Sequence, residues 1–144
     1  MNKPQDLENR LIDFAVLIIN VIETLPNTKA GNHIAGQLVR SATSPAPNYG
    51  EAQSAESRKD FIHKMKIALK ELRESLICLR IIERKPLCDP NEMTDVIREC
   101  DELIAIFVTS VKTVESKNSQ HFEIQQSTIN NQQSLFNPCT EKCA

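Results

Sequence analysis

Residues 58–84 read RKDFIHKMKIALKELRESLICLRIIER, and this stretch decides the fold. Phe61, Met65, Ala68, Leu72, Ser75 or Leu76, Leu79 and Ile82 recur every three or four positions, the spacing that puts side chains on one helix face. Neither Gly nor Pro interrupts the run. Ser57 followed by Asp60 reads as a capping box with Asp in the usual Glu position, so the helix opens at Arg58, and Pro86 closes it. At ~1.5 Å per residue it is about 40 Å long. A stripe of that length is buried only against other long helices, which predicts a bundle.

Working outward supplies the partners. Asp89-Pro90-Asn91-Glu92 places Asp at the N-cap, Pro at N1 and Glu at N3 of a fourth helix, whose inner face is Met93, Val96, Cys100, Leu103, Phe107, Val111 and Val114. Upstream, Leu7, Leu11, Phe14, Ile18, Val21 or Ile22, and Leu25 mark a first helix ended by Pro26 and Asn27. A second stripe, Ile12, Ala15, Ile19 and Ile22, widens its apolar face toward another subunit. The second helix begins after Thr28 and runs through Ile34, Leu38, Val39 and Ala42. Pro45 and Pro47 remove two helix donors, so the carbonyls of Ser41 and Thr43 lose their partners and the helix bends there. Ser41, Thr43, Ser44 and Asn48 can repair the break with local hydrogen bonds, and Gly50 permits close packing.

Short connections force neighbouring helices to run antiparallel. The expected fold is therefore all-α: an antiparallel up-down-up-down four-helix bundle over residues 1–116, its second helix kinked, followed by a disordered polar tail over 117–144. In that tail Ile124, Ile129, Leu135 and Phe136 are too sparse to bury a core.

Composition narrows the function classes. The 144 residues are 40% hydrophobic with net charge -2, so a nucleic-acid role would need a local basic patch. No Trp and a single Tyr argue against base-stacking platforms, and three Gly leave no glycine-rich phosphate loop. The N-terminal region, polar to Arg10 and carrying Asp13 and Glu23 around Phe14–Ile19, reads as neither signal peptide nor membrane span. Five cysteines without a C-x-x-C pair suit a reducing cytoplasm.

Catalytic and metal chemistry find little to work with. Asp60-Phe61-Ile62-His63 is one partial di-iron motif, and a di-iron bundle needs several convergent ligands, so His63 reads as a partly exposed surface residue. Cys139 and Cys143 lack companion ligands for zinc, and His121 is isolated. His33, His63 and His121 assemble no nucleophile set. Glu71 and Glu74, among lysines, read as solvated or salt-bridged acids. The expectation is a protein that is no enzyme and takes neither cofactor nor metal.

Charge is more informative. Between Arg58 and Lys85 nine basic residues stand against four acids, whereas from Pro86 to Ser116 two basic residues stand against seven acids. Lys59, Lys66, Lys70, Arg73, Arg80 and Arg84 recur at spacings of three, four and seven, forming one stripe away from the core. A phosphate backbone could lie along it. Alternatively its far end pairs with the fourth helix, since a hairpin turning near Lys85–Asp89 brings Arg84 and Arg80 level with Glu92 and Asp95. Lys59, Lys66 and Lys70 would then remain for a partner.

The ordered set Gln37-Leu38-Val39-Arg40-Ser41-Ala42-Thr43-Ser44, Asn48, Glu51, Lys59-Asp60-Phe61, Ile67-Ala68 and Glu74, with the Leu25-Pro26 turn, resembles the four-helix-bundle proteins named for the 23S rRNA intervening sequence. The likeness covers roughly Leu7 to Val114. It implies a bundle that assembles into a ring-like pentamer, with genes often inside inserts of ribosomal RNA operons, and no established activity. Accessory proteins of diversity-generating retroelements look similar and are thought to bind nucleic acid and a reverse transcriptase. They are markedly basic, and this chain is not; it also carries Pro45 and Pro47 where such proteins commonly show one proline. Arg40, Asn48 and Glu51 are expected to brace the bent helix with hydrogen bonds.

Two readings of different class follow. One is a homo-oligomeric binder of structured RNA or DNA through Lys59, Lys66, Lys70, Arg73 and Arg80. The other is a protein-interaction scaffold whose surplus apolar surface, Ile12, Ile19, Ile62, Leu69, Ile77 and Ile81, serves self-assembly and a protein partner. Neither involves a membrane.

Overall fold

Thr28, Ser57 and Asp89 each open a helix by local chemistry. The computed structural model describes residues 4–135 as α1 (Pro4–Thr24), α2 (Lys29–Thr43), α3 (Pro45–Gln53), α4 (Arg58–Arg84) and α5 (Pro90–Leu135). The Thr28 hydroxyl accepts from the Gly31 amide at 3.0 Å, and the Ser57 hydroxyl accepts from the Asp60 amide at 3.0 Å. Asp89 Oδ1 accepts from the Asn91 amide at 2.9 Å. Each bond satisfies one of the amides a helix leaves without an internal partner.

Segments α2 and α3 are the halves of one bent helix, joined through Ser44, whose backbone stays helical at φ -73 and ψ -34. The Ser44 amide still reaches the Arg40 carbonyl at 3.3 Å, and the Asn48 amide the Ser44 carbonyl at 3.2 Å. Between them Pro45 and Pro47 donate nothing. Asn48 Nδ2 donates to the Ser44 carbonyl at 3.0 Å and to its hydroxyl at 2.9 Å, tying the two sides of the bend together. Thr43 donates locally to the Val39 carbonyl at 2.7 Å. Ser41 acts differently: it is buried and meets the buried Ser75 hydroxyl of α4 at 2.9 Å, so it braces the bend across helices as well as along one.

The helices order themselves around a continuous core. α1 packs on α2 and α3, and both halves of the bent helix pack on α4. The remaining side is closed by α5, whose Cys100 thiol lies 3.4 Å from the Leu72 carbonyl of α4 and whose Glu99 meets Arg10 of α1. α1 and α4 therefore stand at opposite corners, the up-down-up-down arrangement that the short connections dictate. Phe14, Ile18, Leu38, Met65, Leu72, Leu79, Leu103 and Phe107 are among the fully buried side chains. Each stabilises the fold by roughly 1.5–3 kcal/mol relative to leaving it in water. Of the apolar residues along α2, Leu38 and Ala42 are buried while Val39 is exposed.

One glycine is required by contact. A Cβ on Gly31 would sit 2.2 Å from the Pro26 carbonyl oxygen, which is itself held by the Thr28 amide at 2.8 Å. Gly31→Ala should therefore destabilise the protein by about 1–3 kcal/mol, despite a helix propensity that favours Ala by ~1 kcal/mol. Urea denaturation measures this, and a variant as stable as the wild type would mean that the α1–α2 turn yields freely.

The chain divides into two units, Met1–Val111 and Lys112–Ala144. The disordered tail expected from Lys117 is helical in its described part, as far as Leu135, and buries none of its side chains from Ser119 to Gln132. Helix persists because no Pro or Gly occurs from Asn91 to Asn137 and the segment holds several Gln and Glu, which lose little freedom in a helix. Residues 136–144, including Cys139 and Cys143, lie outside the described residues.

Candidate nucleic-acid interface

The outward face of α4 is a cationic ridge. Lys59, Lys66, Lys70, Arg73, Arg80 and Arg84 are all exposed, with His63 on the same face. At ~1.5 Å per residue the ridge is about 37 Å long. One long helix sets the spacing, and the core stripe on its opposite side fixes which way the ridge faces.

Three acids of α5 have partners off the ridge. Arg10 of α1 donates through Nε to Glu99 Oε1 at 2.6 Å and through Nη2 to Glu99 Oε2 at 3.0 Å, and the same Nη2 also meets Glu102. Glu99 and Glu102 are three residues apart, one above the other on the helix, so one guanidinium spans both. The hydrogen bond to Glu99 is the largest influence on Arg10 and pushes its pKa up. Asp95 pairs with Arg98 of its own helix at 2.8 Å. The pairing of Arg84 and Arg80 with Glu92 and Asp95 does not form among the described residues. The reason is register: the α4 arginines point outward, while the acids near Glu99 turn toward α1.

The three polar residues of the bend part company. Asn48 holds Ser44 as described. Glu51 leaves the bend altogether and accepts from Lys64 Nζ of α4 at 2.7 Å, a bond that raises the Lys64 pKa. Arg40 is exposed and, with Gln37, Ser41, Glu74, Ile77, Cys78 and Ile81, lines a cleft of about 300 Å³ between α2 and α4. A second groove of about 420 Å³ runs between α4 and α5, past Glu83, Ile97, Arg98, Asp101 and Glu102.

Other candidate chemistry is dispersed. His33 and His63 are exposed, and His121 shares a 3.0 Å contact with Gln125. Among the described residues no three His, Cys, Asp or Glu side chains gather where one metal ion could bind. Cys78, Cys88 and Cys100 are free thiols. No described helix is long and apolar enough to cross a membrane.

Two helices of the bundle, α1 and α4, each carry more than one exposed large apolar side chain within residues 4–111. Ile12, Val16, Leu17 and Ile19 of α1 and Ile77 and Ile81 of α4 are exposed. Leu69, expected on the surface, is buried, and Ile62 is half-buried, because both lie beside the core stripe where neighbouring helices cover them. Sequence reasoning missed the Arg10 clamp. The Glu99–Glu102 spacing was a signal, but a cation on α1 could be matched to it only once the helices were in place.

Comparisons with known proteins agree with this architecture. Residues 5–109 match the family model described as 23S rRNA-intervening sequence protein. A solved structure, from Bacteroides thetaiotaomicron VPI-5482 and described as a protein with unknown function from the S23 ribosomal protein family, is 30% identical. That match covers 74% of this chain and 98% of the other at a TM-score of 0.68. No curated protein matches the chain. With the family model spanning most of its length, the chain belongs to the 23S rRNA-intervening sequence protein family.

Proposed function

We propose that the chain is a non-catalytic, self-associating bundle that binds structured RNA along α4, through Lys59, Lys66, Lys70, Arg73 and Arg80. The observation that carries the reading is the exposed cationic ridge, while Glu99 and Glu102 of α5 are engaged by Arg10 of α1 and Asp95 by Arg98 of its own helix. Phosphates complement such a ridge, and its repetition around an oligomer turns weak single contacts into avidity. Free thiols at Cys78, Cys88 and Cys100 fit a cytoplasmic setting.

Filter binding of ribosomal RNA fragments across a salt series tests it. Binding should weaken steeply with salt, and Lys59→Gln with Lys70→Gln should flatten the log–log slope by about 1.4 to 1.8 through the loss of two phosphate contacts. No binding at low salt, or a slope untouched by the substitutions, would sink the proposal. A second reading, a protein-interaction scaffold without RNA, is favoured by the apolar seams Ile12–Val16–Ile19 and Ile77–Ile81. Retention of a protein partner by an RNA-free preparation would favour it.

A further inference from the structure

The ridge on α4 changes character halfway along. Its first half is lysine and histidine, Lys59, His63, Lys66 and Lys70, all exposed and polar. Its second half is arginine interleaved with isoleucine: Arg73, Ile77, Arg80, Ile81 and Arg84, with Ile77 61% exposed. Arginine is enriched at protein interfaces and lysine depleted, because a weakly hydrated guanidinium tolerates desolvation beside apolar groups better than an ammonium does. The second half has the composition of an interface between proteins.

Its complement is on the same chain. The exposed face of α1 carries Ile12, Val16 and Ile19 at spacings of four and three, flanked by the exposed acids Asp13 and Glu23. The one arginine of this helix, Arg10, is committed to Glu99 and Glu102. One surface is apolar with acids and the other apolar with arginines, each with its apolar residues three or four positions apart on one helix. They cannot meet within one molecule, since α1 and α4 stand at opposite corners of the bundle.

We propose that α1 of one copy docks on the C-terminal half of α4 of a second copy, so that Arg73, Arg80 and Arg84 face Asp13 and Glu23 around an isoleucine and valine seam. This rests on the self-association included in the proposed function. Such a contact joins two different surfaces, so it propagates from copy to copy and closes as a ring where the rotation allows. The RNA surface proposed above is thereby narrowed: Arg73 and Arg80 are taken up with Arg84 in assembly, and the polyanion meets the lysine half, Lys59, Lys66 and Lys70.

Light scattering on the RNA-free full chain is the test. Arg80→Glu with Arg84→Glu should reduce the wild-type assembly to the 16.3 kDa monomer. Asp13→Arg with Glu23→Arg should do the same, and all four changes in one chain should restore the assembly. Far-UV circular dichroism reports folding, and Ile77→Ser with Ile81→Ser is a second, charge-neutral disruption if a reversal fails to fold. A monomeric wild type overturns both this inference and the self-association. An assembly indifferent to the reversals overturns the inference alone, as does failure of the four-change chain to reassemble. Lys59→Gln with Lys70→Gln should leave the mass unchanged, so loss of RNA binding there is read separately from loss of assembly.

Discussion

Phe107→Ala should lower the unfolding free energy by about 3–5 kcal/mol. The side chain is fully buried, and its ring meets Tyr49 edge-on, with centroids 5.9 Å apart at 65°. Truncation loses the transfer energy of the ring, leaves a cavity that rigid helices cannot collapse to fill, and breaks an aromatic pair worth about 0.5–1.5 kcal/mol by itself. Total stability of a domain this size is about 5–15 kcal/mol, so the loss is a large share. Phe122→Ala, at a position 67% exposed, should change stability by less than about 0.5 kcal/mol. Urea titrations at one fixed protein concentration make the comparison, because self-association adds a concentration-dependent term. A Phe107 variant within about 1 kcal/mol of the wild type would contradict the packing described.

Alkaline pH should reveal the second large effect, at Cys100. Burial, with smaller contributions from the nearby charges of Asp101 and Glu99, pushes this thiol from 9.0 up to about 12, while Arg80 opposes the shift. The folded protein therefore keeps a proton that the unfolded chain releases above pH 9. Where the native state binds more protons, stability falls as pH rises, by at most about 1.4 kcal/mol per pH unit for one group. Below pH 9 both states hold the proton and the term vanishes. Between pH 9 and 11 the wild type should lose about 2 to 3 kcal/mol more than Cys100→Ala does. Tyr49, whose buried phenol is shifted the same way, is common to both proteins and cancels in the difference. Parallel stability curves for the two would show that the thiol reaches solvent in the native state.

The parts of the fold that could be read from the chain alone are those governed by neighbours in sequence. Thr28, Ser57 and Asp89 announce helix starts because a cap acts over two or three residues. Pro45 and Pro47 announce the bend because a missing donor acts four residues back. Features set by register between helices could not be read this way. Arg10 and Glu99 are 89 residues apart, and nothing local tells an arginine which helix its side chain will reach. Tyr49 and Phe107 are 58 positions apart, and only the bend brings their rings together. Leu69 lies on the boundary of its stripe, where the tilt of a neighbour decides whether it is covered. The requirement for Gly31 comes from the path of the preceding turn, which puts the Pro26 carbonyl against it. The cationic ridge was visible as a spacing; that Glu99 and Glu102 of the next helix turn toward Arg10 was not.

That turn toward Arg10 has an electrical consequence. With α1 and the Arg10 side of α5 rich in carboxylates and the far corner rich in ammonium and guanidinium groups, the bundle is a dipole rather than a uniform weak anion. A net charge of -2 alone would repel a polyanion. The dipole instead applies a torque on approach, rotating α4 to the front before contact. Dissolved ions screen that torque over about 8–10 Å, so under the RNA reading proposed above salt would act on the orientation of encounter as well as on the strength of binding.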